Sequence, residues 1–195
     1  GSRGPPNGAI GEKSVPVRVS TVYPPQEDLH VLHAGMEQCP PAHAFGPAVR
    51  DYYLIHFILK GKGRFQAENR TYQLAAGEGF LICPDQVTFY EADAQDPWFY
   101  VWIAFSGQAA DITLRQAGLC NTSPILHTPP CLQDRHDDGS LKPTWCFQQI
   151  AAALELRQGR DLRLLALLQL LLSHLIEQNH NPPVAEDQIN RRDWY

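Results

Sequence analysis

No helix of ordinary length fits between residues 50 and 105, because a turn residue closes each apolar run. Residues 52–59 end at Gly61 and Gly63, 64–67 at Glu68-Asn69, and 71–75 at Gly77. Residues 80–83 end at Pro84-Asp85, and 87–91 at an acidic stretch before Pro97. The runs are rich in β-branched and aromatic residues, so their spacing predicts an antiparallel all-β sandwich or barrel. The run over 98–105 is the most informative. Strict alternation puts Trp98, Tyr100 and Trp102 on one face, and Phe99, Val101, Ile103 and Phe105 on the other. A strand apolar on both faces is covered on both. One face then lines an interior and the other lies under further structure.

Three large aromatics carrying two N–H groups and one O–H suit the wall of a cavity. Aromatic faces beside polar handles match a sugar or a similar polyhydroxylated ligand, whose C–H faces stack while its hydroxyls find donors and acceptors. An ordinary aromatic core fits the same alternation. His56 is the only ionisable side chain among the apolar and tyrosyl residues of 52–59. Buried, it must find a hydrogen bond or stay neutral. It is either a satisfied core histidine or, facing Tyr90 and Tyr100, a polar group of the cavity.

The 195 residues suffice for one domain with a sizeable core plus an appendage. A net charge of −5 and a pI near 5.9, without a dense Lys/Arg stripe, give no nucleic-acid footprint within this sequence. The five cysteines, Cys39, Cys83, Cys120, Cys131 and Cys146, are odd in number and lack CxxC pairing. That favours reduced thiols in a cytoplasm over a disulfide framework or zinc ribbon. No signal peptide is visible. Arg163, Gln169, Ser173 and His174 break the most hydrophobic segment, so no membrane partner is expected.

Taken in order, residues 1–20 read as a flexible arm, with Gly1-Ser2 a remnant of expression and prolines and glycines scattered through the remainder. Residues 21–140 form the barrel with a short helix. A first strand is expected near 29–36, where His30 and His33 would fall on opposite faces and so not share a metal. Residues 39–47 read as a proline-punctuated approach to the barrel. Ser106 is the expected N-cap of a helix ending before Gly118. Residues 120–140 form a long irregular connection, where His127 and His136 stand near acidic residues as solvated loop groups.

Residues 141–179 are helical. Pro143 and Gly159 bracket one helix, and Asp161 is the expected N-cap of the next. Leu164, Leu165, Leu168, Leu171, Leu172 and Leu175 form one stripe of it, while Leu162, Leu167 and Leu170 form a second. One stripe can cover the barrel and the other needs a partner, most simply a second copy of the chain. The alternative is that both pack within one chain. The leucines assigned to dimerisation are Leu164, Leu167, Leu168, Leu170, Leu171 and Leu175. Residues 180–195 read as a polar linker whose end looks like the start of another domain.

Three segments carry a family resemblance: PAHAFGPAVRDYYLIHFILKGKGRF (41–65), TYQLAAGEGFLICPDQVTFYEAD (71–93) and DPWFYVWIAFSG (96–107). They resemble the N-terminal effector-binding domain of AraC-type transcriptional regulators, most closely those of arabinose, raffinose and multiple-sugar operons. The resemblance covers roughly residues 35–180. It implies a mainly β fold, a cupin-like antiparallel barrel followed by an antiparallel helix pair. It also implies a sugar effector, dimerisation through the terminal helices, and DNA contact only through a following helix-turn-helix domain. In arabinose-type relatives an N-terminal arm closes over the sugar. Tyr90 matches a pocket tyrosine of those proteins and Trp102 their stacking tryptophan. Tyr100 stands where such a protein has a histidine, a departure that bears on which sugar is bound. His43 matches a histidine just before the strand near Tyr52, at the pocket mouth or on the surface. The pocket arginine has no aligned counterpart, although Arg50 lies near. Closeness to raffinose-type members points to an α-galactoside or other oligosaccharide.

Cupin-like barrels also house metal enzymes. Those sites need an HxH pair with a Glu and a third His, and no HxH occurs in the chain. There is no GxSxG elbow, paired Cys/His signature or phosphate-binding glycine loop. The sequence therefore predicts neither catalysis nor a metal or other cofactor. It predicts a ligand-sensing, dimerising domain with Trp102, Tyr90, Tyr100, His56, His43 and Trp98 at its ligand site. A ligand-independent dimerisation module remains the other reading.

Overall fold

The structure, a computed structural model, describes residues 28–127 and 143–180. In chain order the strands are β1 (His30–Gln38), β2 (Ala44–Ala48), β3 (Tyr53–Lys60), β4 (Lys62–Ala67) and β5 (Arg70–Ala75). They continue as β6 (Glu78–Ile82), β7 (Thr88–Ala92), β8 (Phe99–Ser106) and β9 (Ile125–His127). The helices are α1 (Ala110–Gln116), α2 (Pro143–Ala153) and α3 (Arg160–His180). The turns lie where the sequence places them: Gly61 (φ 73°) joins β3 to β4, and Glu68-Asn69 (φ 50° and 60°) closes the β4–β5 hairpin. A side chain at Gly61 would also meet the Pro97 carbonyl oxygen at 2.5 Å.

The strands form two antiparallel sheets, β1-β8-β3-β6-β9 and β2-β7-β4-β5. The expected barrel is thus a cupin-like pair of sheets, without one hydrogen-bonded ladder closing on itself among the described residues. Two strands depart from the expectations. β2 occupies the supposed proline-punctuated approach and pairs with β7 through Ala44, Phe45 and Ala48. β9 lies within the supposed irregular connection and pairs with β6. His136, the proposed arm and residues 181–195 of the proposed linker lie outside the described residues, and His180, the linker's expected first residue, ends α3.

The alternation along β8 divides the apolar interior into two layers. Tyr100 and Ala104 join Leu54, Ile58, Phe65, Phe80 and Tyr90 between the sheets. Val101, Ile103 and Phe105 join Ile55, Phe57 and Leu81 under the helices. The cover anticipated for the outer face of β8 is therefore α1, α2 and α3. Phe147 of α2 stacks on Phe57 with centroids 4.8 Å apart and rings inclined by 7°.

Helix α3 buries Leu164, Leu167, Leu168, Leu171, Leu172 and Leu175 within the chain. That spacing of 3, 1, 3, 1 and 3 residues is one wide helical stripe facing the core. Leu167 therefore belongs to the covering face, not to a second stripe. Leu162 is 76% exposed, and Leu165 and Leu170 are half-buried. The helix termini shift as well. Ser106 ends β8 instead of capping α1, because Gly107 (φ 130°) redirects the chain first. Asp28 supplies the local acceptors, taking the Gln108 N–H on its carboxylate (3.0 Å) and the Ala109 N–H on its carbonyl (3.1 Å). Asp161 lies in the first turn of α3.

Candidate functional site

The space between the sheets is filled by a contiguous aromatic and polar cluster. Its centre is His56 of β3, paired in register with Trp102 of β8 on one side and Phe80 of β6 on the other. His56 stacks on Phe80 at 4.7 Å, meets Tyr100 edge-on at 4.7 Å, and lies 4.9 Å from Tyr90. Tyr90 reaches in from the facing sheet, where Phe45 of β2 stacks on it at 5.3 Å. Trp98 closes one end, fully buried against Phe80 and Tyr100. Five of the six residues read from the sequence, His56, Tyr90, Tyr100, Trp98 and Trp102, thus meet in one cluster. The sixth, His43, stands at its margin, 36% exposed and edge-on to Phe45.

Trp102 has the geometry of a platform. It is half-buried, and its indole N–H donates to Nδ1 of His33 on β1 at 3.1 Å. The ring lies against Gly35, where a Cβ would fall 2.2 Å from Cζ2 of the indole. Only a residue without a side chain leaves the indole this position. Further along β1, Glu37 accepts from the Tyr100 hydroxyl at 3.3 Å and approaches His43 Nε2 at 3.6 Å.

Three residues that bear on the site were not assigned to it from the sequence: Arg50, His33 and Glu37. Arg50 comes from the β2–β3 connection, which is held by the Asp85 N–H donating to the Arg50 carbonyl at 2.8 Å. Its Nη2 donates to the Tyr90 hydroxyl at 3.4 Å, with the guanidinium carbon 6.0 Å from that ring's centroid. A β1 strand of alternating residues carries His33 and Glu37 to the cluster, and the register opposite Ala104 and Tyr100 places them there.

Burial governs the electrostatics. His56 is 2% exposed, and burial, followed by the nearby Arg50 and His33, holds its imidazole well below the ordinary value of 6.5. His33 is also lowered, first by burial and then by Arg50. Burial pushes the Tyr90 phenol up to about 12 and raises Tyr100 beyond its ordinary range. Both phenols are therefore neutral donors at physiological pH. Three buried polar atoms of this cluster lack a hydrogen-bond partner: His56 Nδ1, Arg50 Nη1 and Trp98 Nε1. Buried polar groups are ordinarily satisfied, which sets these three atoms apart from the apolar residues around them.

Among the described residues no group of three or more His, Cys, Asp or Glu is placed to hold a metal ion. His127 pairs with Glu78 at 3.2 Å, away from the cluster. An open surface cleft of about 670 Å³ lies beside the β4–β5 turn and residues 85–89, and contains none of the aromatic cluster. No described helix is long and apolar enough to cross a membrane.

A family model for the AraC-like ligand binding domain matches residues 30–172. The Msm operon regulatory protein of Streptococcus mutans is 51% identical over 92 residues, 47% of this chain and 33% of that protein. The raffinose operon transcriptional regulatory protein of Pediococcus pentosaceus is 44% identical over 79 residues, 40% of this chain and 28% of that protein. The lactose operon transcription activator of Staphylococcus xylosus is 23% identical over 151 residues, 77% and 52% of the two chains. The matched region thus spans between about a quarter and a half of these relatives' lengths. Among solved structures, a cupin protein of Bacteroides fragilis is similar at 20% identity over 44% of this chain and 81% of that one, with a TM-score of 0.34.

Proposed function

The chain belongs to the AraC-like ligand binding domain family, and from that premise we propose that it is the effector-sensing part of a sugar-responsive transcriptional regulator. The sugar enters between the two sheets at Trp102. Its apolar face stacks on the half-buried indole, and its hydroxyls meet Tyr90, Tyr100, His56 and Arg50. The observation that carries this reading is the set of partnerless buried polar atoms, His56 Nδ1, Arg50 Nη1 and Trp98 Nε1, inside an aromatic enclosure. The regulator acts in the cytoplasm, with DNA recognition in a segment beyond the sensing domain. Two copies associate through what α3 leaves uncovered, Leu162, Leu165 and Leu170. No catalytic step is assigned.

Tyr100 at 1% and His56 at 2% exposure also suit a second reading, a filled aromatic core in a ligand-independent dimerisation module. Thermal unfolding with a panel of mono- and oligosaccharides separates the two. A ligand present at about a hundred times its dissociation constant adds ~2.7 kcal/mol, which raises the midpoint by roughly 5–10 °C for a chain of this size. The sensing reading requires a selective rise that Trp102→Ala removes while leaving a cooperative transition. A panel without any shift, or one indifferent to Trp102→Ala, refutes it.

A further inference from the structure

Strand β1 ends the first sheet, and among the described residues its only ladder is with β8. No described strand therefore takes the backbone hydrogen bonds of its outer edge. Open edges are ordinarily blunted by lysine, proline, shortness or a covering segment. β1 has nine residues and contains neither lysine nor proline. Its register irregularity, between Val31 and His33, disturbs one end only, and His33–Gln38 pair regularly with β8. A cleft of about 560 Å³ borders the other half of the strand, lined by Val31, Leu32 and Ala34 of β1 and by Leu162, Leu164 and Leu165 of α3. Leu32 is 50%, Met36 43% and Leu162 76% exposed. Two of the leucines that α3 leaves uncovered, Leu162 and Leu165, are thus one wall of an apolar groove whose other wall is an unpaired strand.

The partner that uses up such an edge without presenting another is a second copy, because a two-fold pairing covers both edges at once. Consider β1 paired antiparallel with its own copy about an axis through Gly35 and normal to the sheet. His33 then stands opposite Glu37, and Ala34 opposite Met36, each pair occurring twice. An imidazole meets a carboxylate, no like charges are opposed, and a small side chain meets a long one. Ala34 packs toward the helix layer, and Met36 shares its face by alternation. The axis keeps both helix layers on one side of the joined sheet, so Leu162 and Leu165 of each copy border the seam. Exposed Arg160 and Asp161 give the rim of the cleft both signs of charge, which suits a copy of itself over a strongly charged partner. Resting on the reading that two copies associate through α3, we propose that the dimer is completed by this β1–β1 pairing, with Met36 of each copy closing the other's cleft beside Ala34. β1 then makes two kinds of contact: its inner face seats Trp102 through His33 and Gly35, and its edge holds the partner.

The test combines sedimentation with amide hydrogen exchange on the 195-residue protein. Met36→Lys places like charges on both sides of the axis and is expected to weaken dimerisation ~10-fold or more. Ile112→Lys, at a site on α1 that is 48% exposed, is expected to leave dimerisation unchanged. In the parent protein, which needs no substitution, edge-facing amides of residues 33–38 are expected to exchange ~10-fold or more slowly at concentrations where the dimer forms than on dilution below them. If Met36→Lys dimerises as the parent does, or if those amides exchange rapidly in monomer and dimer alike, the β1 pairing is overturned while the reading of an α3 dimer stands. Slow exchange of the same amides at every concentration shows that the edge is covered within one chain, and likewise overturns the pairing. A parent that remains monomeric at micromolar concentration overturns both.

Discussion

Gly35→Ala tests the geometry of the platform without touching a polar group. A Cβ at Gly35 would lie 2.2, 2.5 and 2.7 Å from Cζ2, Cη2 and Cε2 of Trp102. Carbon atoms in contact sit roughly 3.5–4.0 Å apart, so the indole must retreat by more than ~1 Å. It cannot go inward freely, because His56 and Tyr100 stand behind it at 6.1 and 5.9 Å between centroids. Retreat also breaks the indole–His33 hydrogen bond of 3.1 Å. Overpacking of this kind costs ~1–3 kcal/mol, and the lost hydrogen bond about 1 kcal/mol. Alanine's smaller unfolded-state entropy returns ~0.4–1 kcal/mol. The net is a destabilisation of ~1–3 kcal/mol, a fall in midpoint of roughly 3–10 °C for this chain length. The assay is thermal unfolding followed by circular dichroism, with tryptophan emission of the native state recorded alongside. A midpoint within a degree of the parent, with unchanged emission and an intact sugar response, would refute the placement of Trp102 on Gly35.

Three other expectations are independent of one another. Phe147 is fully buried and stacked on Phe57, so Phe147→Ala is expected to cost ~3–5 kcal/mol in urea unfolding; a loss comparable to Trp145→Ala, at a site 37% exposed, would contradict the docking of α2 on the sheet. His56, His33 and His174 all have folded values below 6.5, mainly because of burial. Their contribution to stability is therefore complete above that pH and is lost as pH falls below it, since the unfolded chain then binds more protons. For the fully buried His56, stability should decline between pH 6.5 and 5.5 with a slope of up to about 1.4 kcal/mol per pH unit, and the solvent-screened His33 and His174 add less; a His56→Phe variant with the parent's slope would show that His56 is not held neutral. Finally, Leu162→Glu with Leu170→Glu is expected to turn a dimer into a folded monomer in analytical ultracentrifugation. A parent protein that sediments as a monomer at micromolar concentration, or a variant that remains dimeric, excludes α3 as the interface. Leu167→Glu does not test this, because Leu167 is core and its substitution unfolds the chain instead.

What the sequence reveals and what it conceals follow from the range of the interactions involved. The alternation of Trp98, Tyr100 and Trp102 against Val101, Ile103 and Phe105 is a period-two pattern that any strand must obey. It fixes both faces of β8 before any partner is known, and with them the two apolar layers. β2 is different. Ala-Phe-Gly-Pro-Ala contains Gly46 and Pro47, which read locally as a turn, and its strand character comes from the edge of β7, which it pairs through only three positions. β9 is three residues long, too short to display a period. The stripes of α3 were misread for a related reason. A leucine-rich helix of 21 residues presents apolar side chains at nearly every angle, so periodicity leaves the buried phase open. The sheet chooses Leu167 and Leu171 over Leu162 and Leu165. The site shows the same division. Aromatic residues announce themselves by size and alternation, whereas Arg50 lies in a connection with no period, and its direction is set by the Asp85 N–H on its carbonyl and by Tyr90 across the gap between sheets. His33 and Glu37 depend on a register irregularity in β1 between Val31 and His33, which shifts which residues of that strand face inward. An alternation count begun at His30 assigns them wrongly by one position. The polar half of the site is therefore written in the tertiary structure, and the aromatic half in the sequence. That is why the aromatic cluster can be read from residues alone while the polar groups that meet it from β1 and the β2–β3 connection cannot.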